Sequence, residues 1–166
     1  DSGADLGGFS ADRRGPGVAF ELGGVVRMAA SWVLSTCGRE IATEIVLGEE
    51  LEAEGHSGQV QQVVMNLVQN AVDAVETALH PAVSLHAWRE GKRLVVTVRD
   101  NGHGFSPEVA GRMFDPFFTT KPVGKGTGLG LALCYRTIRE HGGTLEAVSP
   151  PEGCALMTLT LPARGT

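Results

Sequence analysis

Apolar residues recur along this 166-residue chain with two different periods, and the points where the period changes divide it into elements. Val18 to Leu22 reads as a short strand, after which Val25, Val26, Met28, Ala29, Trp32 and Val33 follow at helical spacing through about Ser35. Between Ile41 and Leu47 the period is two, with Ile41, Thr43, Ile45 and Leu47 on one face of a strand. From Ser57 to about Leu79, Val60, Val63, Val64, Leu67, Val68, Ala71, Val72 and Val75 occupy one face of an amphipathic helix. His80-Pro81 is its expected stop, because a residue before proline is pushed out of the helical region. Val83–Trp88 and Arg93–Arg99 alternate around a Glu90-Gly91-Lys92 turn as a hairpin does. Leu129 to about His141 reads as another helix capped by Gly142-Gly143, and Thr144–Val148 and Ala155–Leu161 as two last strands. Together these predict an α/β fold, a two-layer α/β sandwich whose mixed, mostly antiparallel sheet is covered on one face by helices.

Two stretches carry neither period. Residues 1–17 hold five glycines, one proline and only Leu6 and Phe9 as large apolar side chains, which reads as a linker or tail ahead of a domain spanning 18–166. Asp100 to Gly130 is glycine-rich and broken, and reads as a long functional loop. With 42% hydrophobic and 20% charged residues in 17.4 kDa, one domain can bury roughly 70% of its unfolded surface, so no metal or disulfide is needed for stability. Cys37, Cys134 and Cys154 are odd in number and lack CxxC or Cys/His spacing, which counts against zinc or a disulfide framework; they read as redox-sensitive thiols or, for at least two of them, as buried small hydrophobes. The formal charge of −5 speaks against nucleic-acid binding. No apolar run of 18 residues and no leader is present, so the segment reads as cytoplasmic, without direct membrane contact; Asp1 is not an initiator methionine, which leaves open a membrane anchor elsewhere in a longer protein.

Four strings carry chemistry. Along the 57–79 helix, Gln62, Asn66, Asn70 and Asp73 form one polar stripe, although asparagine is a poor helix former. The stripe is either a solvated ladder or a set of oxygen ligands for a hard cation such as magnesium. Asp100-Asn101-Gly102-His103-Gly104-Phe105 follows a strand; it is either a tight turn or a place where backbone approaches a flat ligand while the carboxylate accepts from an exocyclic amine. Gly124 to Leu131, GKGTGLGL, opens a helix with exposed N–H groups suited to phosphate, yet it is neither a P-loop nor a GxGxxG; its alternative is a hinge with Lys121 and Lys125 merely solvated. Met113 to Lys121 places Phe114, Phe117 and Phe118 in a loop, as anchors of a mobile lid or as a satellite apolar cluster.

Taken in order, QVVMNLVQNAVDA at 61–73, DNGHGF at 100–105, FDPFFTTK at 114–121 and GKGTGLGLAL at 124–133 resemble the N, G1, F and G2 boxes of the ATP-binding catalytic domain of sensor histidine kinases. The likeness runs from about Phe20 to Pro162. It implies the Bergerat-type sandwich shared with gyrase, heat-shock chaperone and mismatch-repair ATPases, with ATP and Mg2+ as cofactors. By position it implies that Asn70 coordinates magnesium, supported by Asn66 and Asp73, and that Asp100 binds the adenine amino group while Gly102, Gly104 and Phe105 line the base. Thr119, Thr120 and Lys121 would belong to a lid over about 105–126, and Gly126, Thr127, Gly128, Leu129, Gly130 and Leu131 would cradle the phosphates. The implied reaction is in-line transfer of the γ-phosphoryl group to a histidine, governed by positioning and charge neutralisation. The implied partners are the protein's own dimerisation and phosphoacceptor hairpin, which makes the full-length kinase a homodimer, and a response-regulator receiver domain.

The chain departs from the family pattern in two places. Cys154-Ala155 stand where a Gly-Thr pair normally supports the adenine-binding aspartate, and none of His56, His80, His86, His103 and His141 is followed by an acidic residue, as the phosphorylated histidine is. Hydrolases of the same fold carry a glutamate four residues before the magnesium asparagine. Here that place is Asn66, an amide that takes no proton, which favours a kinase. A protein-serine kinase of the anti-sigma type shares the fold but matches the F and G2 strings less well, and a nucleotide-sensing or docking module rests on Ala155 alone.

Overall fold

Alternation and helical spacing resolve, in chain order, into β1 (Val18–Glu21), α1 (Leu22–Thr36), β2 (Ala42–Leu47), β3 (Glu52–Gly55), α2 (Ser57–Ala74), β4 (Ala82–Glu90), β5 (Arg93–Asp100), α3 (Pro107–Ala110), α4 (Gly130–Glu140), β6 (Thr144–Val148) and β7 (Ala155–Pro162). The computed structural model describes residues 17–118, 130–151 and 153–165. Five strands form one sheet in the order β2-β4-β5-β7-β6, parallel only between β2 and β4, so the mixed, mostly antiparallel sheet expected from the pattern is present. Its inward rows run across strands: Leu85, Val98 and Met157 lie side by side, as do Ala87, Val96, Leu159 and Leu145. Against them pack Val26, Ala30 and Val33 of α1, Val60, Val64, Leu67, Val68 and Val72 of α2, and Ile138 of α4, closing the helical layer over one face.

Two differences from the sequence-based expectation have causes in residues distant along the chain. β3, which no alternation announced, exists because Glu52–Gly55 pairs antiparallel with β1, burying only Ala53 and leaving Glu52 and Glu54 each 3.2 Å from the Arg164 guanidinium. Helix α2 ends at Ala74 rather than near Leu79. The Val72 carbonyl that a further turn would use accepts instead from Arg39 Nη2 at 2.6 Å, and the chain tightens through Glu76 N–H to Asp73 O at 3.2 Å. At its other end α2 is tied to α4: the His56 backbone N–H can only donate, so His141 Nε2 accepts it at 3.1 Å and Nδ1 carries the proton, donating to Thr137 O at 2.9 Å.

Candidate functional site

Asp100 is the last residue of β5, and the two-residue period places it on the same face as Leu94, Val96 and Val98, toward the helices. Its carboxyl is therefore carried into the space between the end of the sheet and α2, where the residue is 5% exposed and is the buried charged residue among those described. Burial pushes its pKa above the ordinary carboxylate value, while the Gly102 N–H, the field of His103, the Ala155 N–H and Arg99 pull it back. The Gly102 bond is 2.8 Å long. An ionised carboxylate offers about four lone-pair sites, and two backbone donors leave capacity for an amine. Ala155 lies directly across the ladder from Asp100, so the position that lacks the threonine hydroxyl is adjacent to the carboxylate.

The glycines after Asp100 have a second reason to be glycine. A Cβ on Gly102 would run into the carbonyl of Ala74 at the end of α2, and Gly104, at φ +75°, would push one into Ser149 Oγ. Ser149 accepts from Phe105 N–H at 3.0 Å and donates to Cys154 O at 2.7 Å, joining the loop after β5 to the β6–β7 connection. Asn101 ties the same loop to β4, accepting from Ala82 N–H at 2.9 Å and donating to His80 O at 2.7 Å. Sequence reasoning singled out neither side chain. Asn101 carried a turn signal ahead of Gly102, whereas Ser149, before Pro150-Pro151, carried none. Ser149→Ala removes both bonds and is expected to lower stability by about 1–3 kcal/mol, measured by urea unfolding.

On α2 the polar stripe is only partly solvated: Gln62 is exposed, while Asn66, Asn70 and Asp73 are half-buried. Gln69 Nε2 donates to Asp73 Oδ1 at 3.0 Å, and Asn66 Nδ2 reaches Cys134 Sγ on α4 at 3.4 Å. Among the described residues no group of three or more histidine, cysteine or acidic side chains could hold a metal, so a hard cation here would combine amide oxygens with oxygens of a bound ligand and water. That requirement suits magnesium on a phosphate chain.

Gly130, exposed, and Leu131, packed partly against the core, begin α4. The three phenylalanines separate. Phe114 stacks on Tyr135 of α4 with centroids 5.4 Å apart, Phe118 lies 4.8 Å from the Arg112 guanidinium, and Phe117, at φ +68°, is 74% exposed. Thr119, Thr120, Lys121, Gly126, Thr127, Gly128 and Leu129 lie outside the described residues, as do Leu6 and Phe9.

A buried strand-end carboxylate, glycine-bound loops and an amide-rich helix are thus gathered at one end of a two-layer sandwich, and the model of the histidine kinase-, DNA gyrase B-, and HSP90-like ATPase family matches residues 55–165. The chain belongs to that family. Among relatives of this ATPase domain, the two-component sensor PprA of Pseudomonas aeruginosa is 39% identical over 119 residues, covering 69% of this chain and 13% of that protein. Sensor histidine kinase ZraS of Escherichia coli K12 is 33% identical over 129 residues, covering 77% of this chain and 27% of its own length. The chain thus spans well under a third of these curated relatives. The catalytic domain of histidine kinase ThkA superposes with a TM-score of 0.74 at 27% identity, covering 89% of this chain and 95% of that one. The mycobacterial sensor histidine kinase MprB, at 21% identity, shares the fold with a TM-score of 0.79 over 90% of this chain and 99% of its own. The chain is a histidine-kinase-type ATPase domain of the kind found in two-component sensors, and no helix among its described residues is long and apolar enough to cross a membrane.

Proposed function

We propose that this ATPase domain binds Mg-ATP and passes its γ-phosphoryl group to a histidine on a separate dimerisation and phosphoacceptor hairpin, for relay to a response-regulator receiver domain. The observation that carries the reading is Asp100, a buried carboxylate at a strand end with acceptor capacity beyond its two backbone bonds. It holds the adenine amino group, and Gly102 and Gly104 keep the following backbone flat beside the base. Asn70, with Asn66 and Asp73 in support, would hold magnesium, which when bound neutralises charge between the phosphates. Asn66 takes no proton from water, so the site orients a phosphoryl group for an incoming imidazole rather than activating a hydrolytic nucleophile. The strings at 119–121 and 126–131 supply lid and phosphate contacts. The acceptor hairpin dimerises the complete kinase, and the domain works on the cytoplasmic side.

The test is a calorimetric titration of the domain with ATP, with and without magnesium, followed by incubation with the acceptor hairpin. Magnesium-enhanced binding and a phosphorylated histidine are expected; absent binding would overturn the reading, and binding with phosphate release but no transfer would favour a hydrolase. Ala155 is the observation favouring a docking module. Ala155→Thr places a hydroxyl beside the Asp100 carboxylate and is expected to tighten ATP binding by about threefold to tenfold, the scale of one added hydrogen bond, in the same titration.

A further inference from the structure

We infer that Cys134 is a positioning residue that sets which end of the Asn66 amide faces the nucleotide site. The inference rests on the reading that Asn66 belongs to the Mg-ATP site. Cys134 stands in the second turn of α4, directly after the glycine-rich string in the chain, and is 1% exposed. Its Sγ lies 3.4 Å from Asn66 Nδ2 and 4.0 Å from the Val63 carbonyl oxygen, both on α2. A neutral thiol has one proton to give and weak lone pairs to offer. With the S–H donated to the Val63 oxygen, which can only accept, the sulfur lone pairs face Asn66 and receive its Nδ2. That arrangement admits the amide NH2 and disfavours its oxygen, which is turned away from α4 and kept as the acceptor end. Amide orientation is otherwise undetermined by shape, because the NH2 and oxygen ends are nearly isosteric. Any shift of α4 against α2 is thereby passed to Asn66, through a group outside the four family strings' polar positions.

A packing role and a positioning role rank substitutions oppositely. Cys134→Val and Cys134→Ala keep an apolar side chain but offer no lone pair, while Cys134→Ser offers lone pairs and a proton at the cost of a buried hydroxyl. The experiment compares wild type and these three variants by thermal melting, by calorimetry with ATP with and without magnesium, and by hydrogen exchange of the Asn66 side-chain amide in the nucleotide-free domain. Serine is expected to melt lower than valine yet keep the magnesium-dependent gain in ATP affinity within about twofold, while valine and alanine lose about threefold to tenfold of it. The Asn66 NH2 protons should be protected in wild type and serine and unprotected in valine and alanine. Affinities that follow melting temperatures, or equal affinities in all four proteins, would overturn the inference. If the wild type itself shows no magnesium-dependent gain, the site reading falls, and the amide exchange alone decides Cys134: protection in wild type and serine upholds its contact, and no difference among the four proteins overturns it.

Discussion

Asp100→Asn is expected to weaken ATP binding by roughly 1.5–3 kcal/mol, the range for a hydrogen bond to a charged group, and at neutral pH to raise the melting temperature of the free domain. The two effects have one origin. The carboxyl is buried at the end of β5, and desolvation lifts its folded pKa above the unfolded value despite the bonds from Gly102 and Ala155. Between those two values the folded state binds more protons than the unfolded state, so stability falls as pH rises through that window and the full cost persists above it. Asparagine removes the charge and with it the cost. ATP binding is expected to run the opposite way, fading as pH falls through the folded pKa, because a protonated carboxyl has fewer pairs to offer an amine. Calorimetry and melting of both proteins across a pH series check this. A wild-type dissociation constant in the variant would place the base elsewhere, and a lowered melting temperature at neutral pH would show that the carboxylate stabilises the free domain.

Asn70→Ala is expected to lower phosphoryl transfer to a supplied acceptor hairpin by about a hundredfold or more, since even outer-shell partners of a metal are worth ten- to a hundredfold. ATP binding measured without magnesium should stay within about twofold of wild type, because the residue lies on α2 and the adenine contacts are proposed for Asp100 and the loop after β5. Alanine is a better helix former than asparagine, so loss of transfer cannot be assigned to unfolding of α2. Radiolabel transfer from ATP and the difference in affinity with and without magnesium give the readout. Unchanged transfer, or equal weakening with and without the ion, would remove Asn70 from the metal role.

Most of the fold was legible because it depends on period. The stretches 57–74, 83–88, 93–99 and 155–161 carry their buried face in plain alternation or helical spacing, and the structure keeps each of them. β3 was not legible: with one buried residue it has no pattern of its own and exists only through β1 and Arg164. The end of α2 was misplaced for a related reason, since Arg39, thirty-three residues earlier, takes the carbonyl that would have continued the helix.

The candidate site divides in the same way. Chemistry that resides in a residue and its neighbours, the Asp100 to Gly104 string or the Asn66, Asn70 and Asp73 stripe, is written locally and is legible in the order of residues. What that local order determined by itself is therefore most of the elements, the face each of those buries and the identity of the groups proposed for a nucleotide. Only the tertiary structure decided that Asp100 is desolvated across from Ala155, that Ser149 and Asn101 anchor the loop between them, that Gly102 is required by the Ala74 carbonyl, and that Cys134 meets Asn66. Each of these depends on a contact between residues distant in the chain, and desolvation, steric exclusion and hydrogen-bond pairing act only once packing has brought such groups within a few ångströms.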